Sequence, residues 1–284
     1  MSKQPLEIAI QRSYKIAADN RLAQQKYTTN KSKGTAPTLA EEKALAFILS
    51  KIKPTAEGLC PIEFDIKEFC AVCGLNERYF YSPVKATLDG LLSRHVWLWE
   101  EDKKEHGRPY FEEIIIDPGS ARVVAHINKR LEPLLIQLKG NYFLFTFRNI
   151  IAMKTSYGIR LYKLLKSMYY KYSSFPAPIE FDVEDLKGYL DCVGKYEKFS
   201  EFRRRIIEPA LRDINTYSDL EVQPETIKTE KRITGIIFHT LDLGKDPMPE
   251  DQAEAQHRSR NVEKEINPDQ FIFDGIFDNI GDWP

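Results

Sequence analysis

A six-residue phrase occurs twice in this chain. Pro61-Ile62-Glu63-Phe64-Asp65-Ile66 returns 117 positions later as Pro178-Ile179-Glu180-Phe181-Asp182-Val183, five residues identical and the sixth a Val/Ile exchange. The flanks repeat as well. Upstream, Leu45, Ile48, Leu49 and Ile52 follow the i, i+3, i+4, i+7 spacing of an apolar helix face, and Leu161, Leu164, Leu165 and Met168 do the same. Thr38 and Glu41 after Pro37 form a plausible capping box for the first of these helices. A repeat of this length implies two copies of one supersecondary unit in tandem.

Each copy continues alike. A short helix is expected over Lys67–Cys73 and over Glu184–Cys192, with Gly74 and Gly194 as stop residues. A longer helix follows at Asn76–Arg94 and at Ser200–Tyr217. Then comes a hairpin: His95–Glu101 with Tyr110–Asp117 in the first copy, Leu220–Gln223 with Ile233–Leu241 in the second. Helix, strand, helix, turn, helix, hairpin is the order of a winged helix, so the expected fold class is α+β with two tandem winged-helix domains. The expected division is a basic N-terminal arm at 1–36, a first winged-helix domain at 37–140, a second at 141–244 and an acidic, disordered tail at 245–284.

The net charge of −1 conceals an uneven distribution. Residues 1–35 carry seven Lys/Arg against two acids, residues 245–284 carry four against ten, and the middle is neutral. A neutral middle can still bind nucleic acid if its cations gather on one face. No stretch approaches the roughly 18 apolar residues of a membrane span. The start, Met1-Ser2-Lys3-Gln4-Pro5, lacks the apolar segment of a secretory signal. Four cysteines in 284 residues do not make a disulfide framework, so a reducing, cytoplasmic setting is expected.

Two further stretches carry a resemblance. Ser156-Tyr157-Gly158-Ile159-Arg160-Leu161-Tyr162-Lys163-Leu164-Leu165 fits S-x-x-x-R-L-Y-x-L-L. Phe202-Arg203-Arg204-Arg205-Ile206-Ile207-Glu208-Pro209-Ala210-Leu211-Arg212-Asp213-Ile214-Asn215 fits F-x-R-x-x-I-x-P-A-x-x-x-I-N. Over residues 39–243 the chain thus resembles the initiator Rep proteins of iteron-containing bacterial plasmids. The resemblance implies binding to repeated double-stranded sites at a plasmid origin. It also implies monomers as initiators, dimers as autorepressors, and contacts with the host initiator and helicase.

The second long helix carries the sharpest candidate site. On a regular helical wheel Phe202, Ile206, Ile207, Ala210, Leu211 and Ile214 share one half, while Arg204, Arg205, Glu208 and Arg212 occupy the other. Arginine pairs bidentately with guanine, and a glutamate can accept from cytosine N4. The plainer alternative is a solvated face with Arg204 and Glu208 as an i,i+4 ion pair. Arg203 falls on the apolar half and is expected to pair with an acid or with backbone carbonyls, or to snorkel its stem to the domain edge, because a lone buried charge is costly. Pro209 is expected to remove a backbone hydrogen bond and kink the axis.

Around that helix, Lys154–Tyr172 is expected to be a helix with five Lys/Arg, five Tyr and no acid. From it Lys154, Arg160 and Lys163 are phosphate candidates, against the alternative of a basic solvent face. Wing residues Lys228, Lys231 and Arg232 are further candidates, as are Arg78, Tyr79, Tyr81 and Lys85 in the first domain. Val123–Leu138 could supply a strand for dimer pairing. Cys70 and Cys73 resemble half of a zinc or redox motif, but no second pair completes four ligands, and buried thiols are expected instead. No His-x-His pair and no phosphate-binding loop is present, so neither a nicking enzyme nor an ATPase is expected, and no cofactor or metal. The tail closes with Phe271, Ile272, Phe273, Ile276, Phe277 and Trp283 among acids, which fits either docking to a host protein or competition with DNA.

Duplex binding by this chain should be strongly salt-dependent despite its net charge. Log K is expected to fall against log salt by about 0.9 for each phosphate neutralised. A salt titration of binding to duplex DNA checks it, and a flat response would contradict it.

Overall fold

The computed structural model describes residues 14–27, 36–73, 81–100 and 103–244. These residues belong to one compact unit of the chain, Met1–Asp246. Most of the N-terminal arm, the whole acidic tail, Gly74, Arg78 and Tyr79 lie outside the described residues.

The first half runs β1 (Lys15–Asp19), a one-turn helix α1 (Asn20–Ala23), α2 (Leu39–Ser50), β2 (Ile62–Asp65), α3 (Ile66–Cys73) and α4 (Tyr81–Leu92). Four strands follow: β3 (His95–Trp99), β4 (Glu105–Pro109), β5 (Phe111–Asp117) and β6 (Arg122–Ile127). A 3₁₀ turn, Lys129–Leu134, leads to β7 (Tyr142–Thr146). The capping box is present at the start of α2. The Thr38 hydroxyl accepts from the Glu41 N–H at 3.3 Å, and the Glu41 carboxylate accepts from the Thr38 N–H at 2.9 Å.

The second half runs α5 (Phe147–Ala152), α6 (Ser156–Tyr169), β8 (Ala177–Asp182), α7 (Val183–Tyr189) and α8 (Phe199–Phe202). A π-helical turn, Arg203–Ile207, joins α8 without a break to α9 (Glu208–Tyr217). The hairpin β9 (Leu220–Thr229) and β10 (Arg232–Asp242) ends the described chain. The repeated hexapeptide supplies an edge strand of the three-stranded sheet in both halves. β2 pairs with β6 in the order β2-β6-β5, and β8 pairs with β10 in the order β8-β10-β9, all antiparallel. The two halves are winged-helix domains in tandem, with mixed helix and strand content.

Several expectations are corrected. In the first domain His95–Trp99 pairs with Glu105–Pro109, and Phe111–Asp117 pairs with Arg122–Ile127, so there are two hairpins rather than one. The second turn is held by the Asp117 carboxylate, which accepts from the Gly119 N–H and the Ser120 hydroxyl at 2.8 and 2.5 Å. Arg122–Ile127 is the central strand of its sheet, bonded on both sides, so Val123–Leu138 has no open edge there for dimer pairing. α7 ends at Tyr189, before the expected Gly194. Asp191 takes the left-handed backbone, φ 57°, and the Cys192 N–H closes on the Lys187 carbonyl. The second hairpin is longer than expected because Pro224 lies within β9. β9 is an edge strand, where a missing N–H costs no ladder bond.

The two domains meet along α2 and α6. Glu42 of α2, 3% exposed, takes Lys163 Nζ at 2.7 Å and Arg160 Nε at 3.4 Å, both from α6. Arg160 also donates to the carbonyls of Pro37 and Leu190, and its guanidinium lies over the rings of Tyr27 and Tyr157. β1 crosses the same junction, antiparallel to β7 from Lys15↔Thr146 to Asp19↔Tyr142. Removing Glu42 alone strands two cations. Glu42→Ala should therefore cost about 3–5 kcal/mol, the range for breaking a buried ion pair on one side. Equilibrium urea unfolding measures it. A loss below about 1 kcal/mol, as for a surface pair, would contradict this account.

Candidate nucleic-acid interface

The composite helix α8–α9 packs one face on its own domain. Phe202, Ile206, Ile207, Ala210, Leu211 and Ile214 are all buried. Arg204, Arg205 and Arg212 are exposed. Arg203 behaves as its position on the wheel requires: its Nε meets Glu208 Oε1 at 3.1 Å with the side chain 21% exposed. Glu208 is thus half-buried against Arg203, five positions back, and not paired with Arg204 as the plainer wheel had it.

Three polar anchors hold this helix in place. Asp213, 4% exposed on α9, accepts from the backbone N–H groups of Lys154 and Thr155 at 3.0 and 2.7 Å and from the Thr155 hydroxyl at 2.7 Å. The Thr155 hydroxyl in turn accepts from the Gly158 N–H, capping α6. Asn215 brackets Val222 of β9, donating to its carbonyl at 3.0 Å and accepting from its N–H at 2.9 Å. Asp219, just beyond the helix, gathers Tyr162, Asn149 and Lys166. Burial works against the charge of Lys166, but Asp219 and Asp242 more than offset it and raise its pKa above the ordinary lysine value. Helix, wing and α6 therefore form one rigid assembly.

The other candidates separate by exposure. Lys228, Lys231 and Arg232 are exposed at the tip of the β9–β10 hairpin. Lys154 is exposed just before α6, its ammonium 5.5 Å from the centre of the Tyr217 ring at the end of α9. On α4, Lys85 is exposed and Tyr81 half-buried. Arg160 and Lys163 are corrected. Both are occupied by Glu42 at the domain junction, so neither presents a free cation to a phosphate. Lys166 is likewise held between two carboxylates and largely shielded, so three of the five cations of Lys154–Tyr172 turn inward, while Lys154 and Lys171 stay exposed. Tyr162 of the same helix is fully buried, its hydroxyl donating to Asp219 Oδ1 at 2.8 Å.

Cys70 is buried on α3 and Cys73 half-buried. Among the described residues no cluster of His, Cys, Asp or Glu is set to hold a metal. No described helix is long and apolar enough to cross a membrane. Sequence reasoning overlooked Asp213, Asn215 and Asp219 as positioning residues. Asp213 and Asn215 stood in the quoted motif, four and six residues after Pro209; the partners of Asp213 are 58 and 59 residues away, while Asn215 reaches Val222 only seven residues on, across the turn into β9.

The anchor at Asp213 leaves no room beside α6. A Cβ on Gly158 would lie 2.9 Å from Asp213 Cβ and Oδ2 and from Thr155 Oγ1. Gly158→Ala should destabilise the fold by about 1–3 kcal/mol through overpacking, against the roughly 1 kcal/mol that alanine contributes in an open helix position. Thermal unfolding decides, and a variant more stable than its parent would refute the packing argument.

With this geometry in view, known proteins give context. The family model described as "Initiator Replication protein, WH1" matches residues 16–166, and that described as "Initiator Rep protein, WH2" matches residues 182–240. A curated Escherichia coli relative, a replication initiation protein, is 21% identical over 168 residues, covering 58% of this chain. The chain spans about half the length of that relative, 52%. A crystal structure of the Pi initiator protein in complex with iteron DNA is similar in fold, with a TM-score of 0.66 and 17% identity. It covers 80% of this chain and 96% of that one. Matched through both of its winged-helix domains, the chain belongs to the initiator replication protein family.

Proposed function

We propose that this chain initiates plasmid replication by binding repeated double-stranded sites at an origin, sequence-specifically and without catalysis of its own. The observation that carries the reading is the exposed row of Arg204, Arg205 and Arg212 on the second helix of a helix-turn-helix. Guanidiniums on such a helix suit guanine edges in the major groove. The exposed wing cations Lys228, Lys231 and Arg232, with Lys154, suit flanking phosphates. In the first domain Lys85 and Tyr81, with Arg78 and Tyr79, are the corresponding readers. The solved relative in complex with iteron DNA supports repeated sites as the target.

The same reading divides the chain near residue 140 into two DNA-binding domains. It has monomers initiate, dimers repress their own gene, and host initiator and helicase do the melting and unwinding in the cytoplasm. A transcription regulator with no initiation role would need the same contacts. The DNA flanking the coding sequence separates the two: direct repeats favour initiation, a lone inverted repeat favours repression.

Two winged helices on one face of a duplex should sit in successive major grooves about 10–10.5 bp apart. Footprinting should therefore protect roughly two helical turns without requiring a palindrome. Protection of one turn would limit the contact to a single domain. In the same assay Lys231→Ala or Arg232→Ala should weaken all duplexes alike and reduce the salt slope by about one unit.

A further inference from the structure

Arg204 and Arg212 of the composite helix share a stripe only because the helix is not a regular one. Over the eight residues from Arg204 to Arg212, an α-helix would turn Arg212 about 80° away around the axis. The π turn Arg203–Ile207 fits one extra residue into a turn, the Glu208 N–H bonding back to the Arg203 carbonyl. Everything beyond it is set back by about 100°. Arg212 then lies within about 30° of Arg204.

Burial supports this phase shift independently. Phe202 and Leu211 would point to opposite sides of a regular helix, about 180° apart. Both are buried against one core, at 0% and 7% exposure. The cause lies two residues past the turn. Pro209 has no N–H to offer the Arg205 carbonyl, and in a regular helix its ring would collide there. The wider turn relieves that collision, and the Arg203–Glu208 pair bridges the same two residues that the π hydrogen bond joins.

We propose that this π turn is a register device. It makes Arg204 and Arg212 one base-reading pair, with Arg203, Glu208 and Pro209 as positioning residues. Arg205 is the extra residue, displaced to the flank, and it contacts phosphate. This rests on the DNA-binding reading above. Along the axis Arg204 and Arg212 are about 12 Å apart, so they address bases about three to four steps apart in one major groove.

The test uses the full chain and the duplexes it selects from a randomised pool. Arg204→Ala and Arg212→Ala should each relax the selected sequence at one position, three to four base pairs apart, with discrimination there falling about tenfold or more. Arg205→Ala should weaken selected and scrambled duplexes alike and leave the selected sequence unchanged. A second arm removes the device while keeping its phase. Deleting Arg205 together with Pro209→Ala turns the π turn into a plain α turn and keeps Arg204 and Arg212 aligned. That variant should select the same sequence as Arg205→Ala alone, which keeps both the π turn and Pro209. The proposal is overturned if the two arginines relax positions more than a helical turn apart, or if the folded deletion variant loses the selected sequence. Should the deletion variant not fold, the point substitutions still decide. A wild-type chain that selects no sequence at all sinks the DNA-binding reading itself.

Discussion

A carboxylate shut away from water cannot stand alone, and Glu42 meets that requirement with cations from the neighbouring domain. The attraction is strong only at close range and in good geometry, so the bond doubles as a ruler. Arg160 is fixed further by two backbone carbonyls and two aromatic faces. It cannot follow a rotation of one domain against the other without giving up several partners at once. From α6 the constraint passes outward. Thr155 and the N–H groups beside it hold Asp213, Lys166 holds Asp219 and Asp242, and through these the exposed helix and its wing are aligned.

Much of this architecture was legible in the chain. The repeated hexapeptide located both sheets because alternating apolar residues flanked by helix starts have few other uses. Thr38 and Glu41 announced a helix start because a capping box is satisfied within four residues. Arg203 could be told apart from Arg204 and Arg205 because a wheel needs only local geometry. Interactions between distant residues were not legible. A run of cations on α6 reads as a basic surface until Glu42, Asp219 and Asp242 are folded against it.

Two misses had a local signal. Asp117-Pro118-Gly119-Ser120 is a turn-forming cluster, and it marks the break between β5 and β6 that a single-hairpin reading passed over. Pro209 was read as a kink. The chain accommodates it by widening the preceding turn, which moves the later side chains around the axis. A wheel drawn at a constant 100° per residue has no place for that extra residue.

The pairing of β1 with β7 has a consequence for biosynthesis. Its partners are 123 to 131 residues apart, and Ile16 and Ala18 of β1 are buried in the core. The first domain's own sheet, β2-β6-β5, can therefore form while β1 is still without its partner strand. The N-terminal strand has to wait for residues at the very entrance of the second domain, roughly 6–25 s at common elongation rates. During that interval Phe143 and Phe145, which lie opposite β1, do not yet exist, and the hydrogen-bonding edge of β1 has no partner strand. Synthesis of the junction is thus the step that seals the first domain, so the two domains are joined in order of manufacture as well as in space.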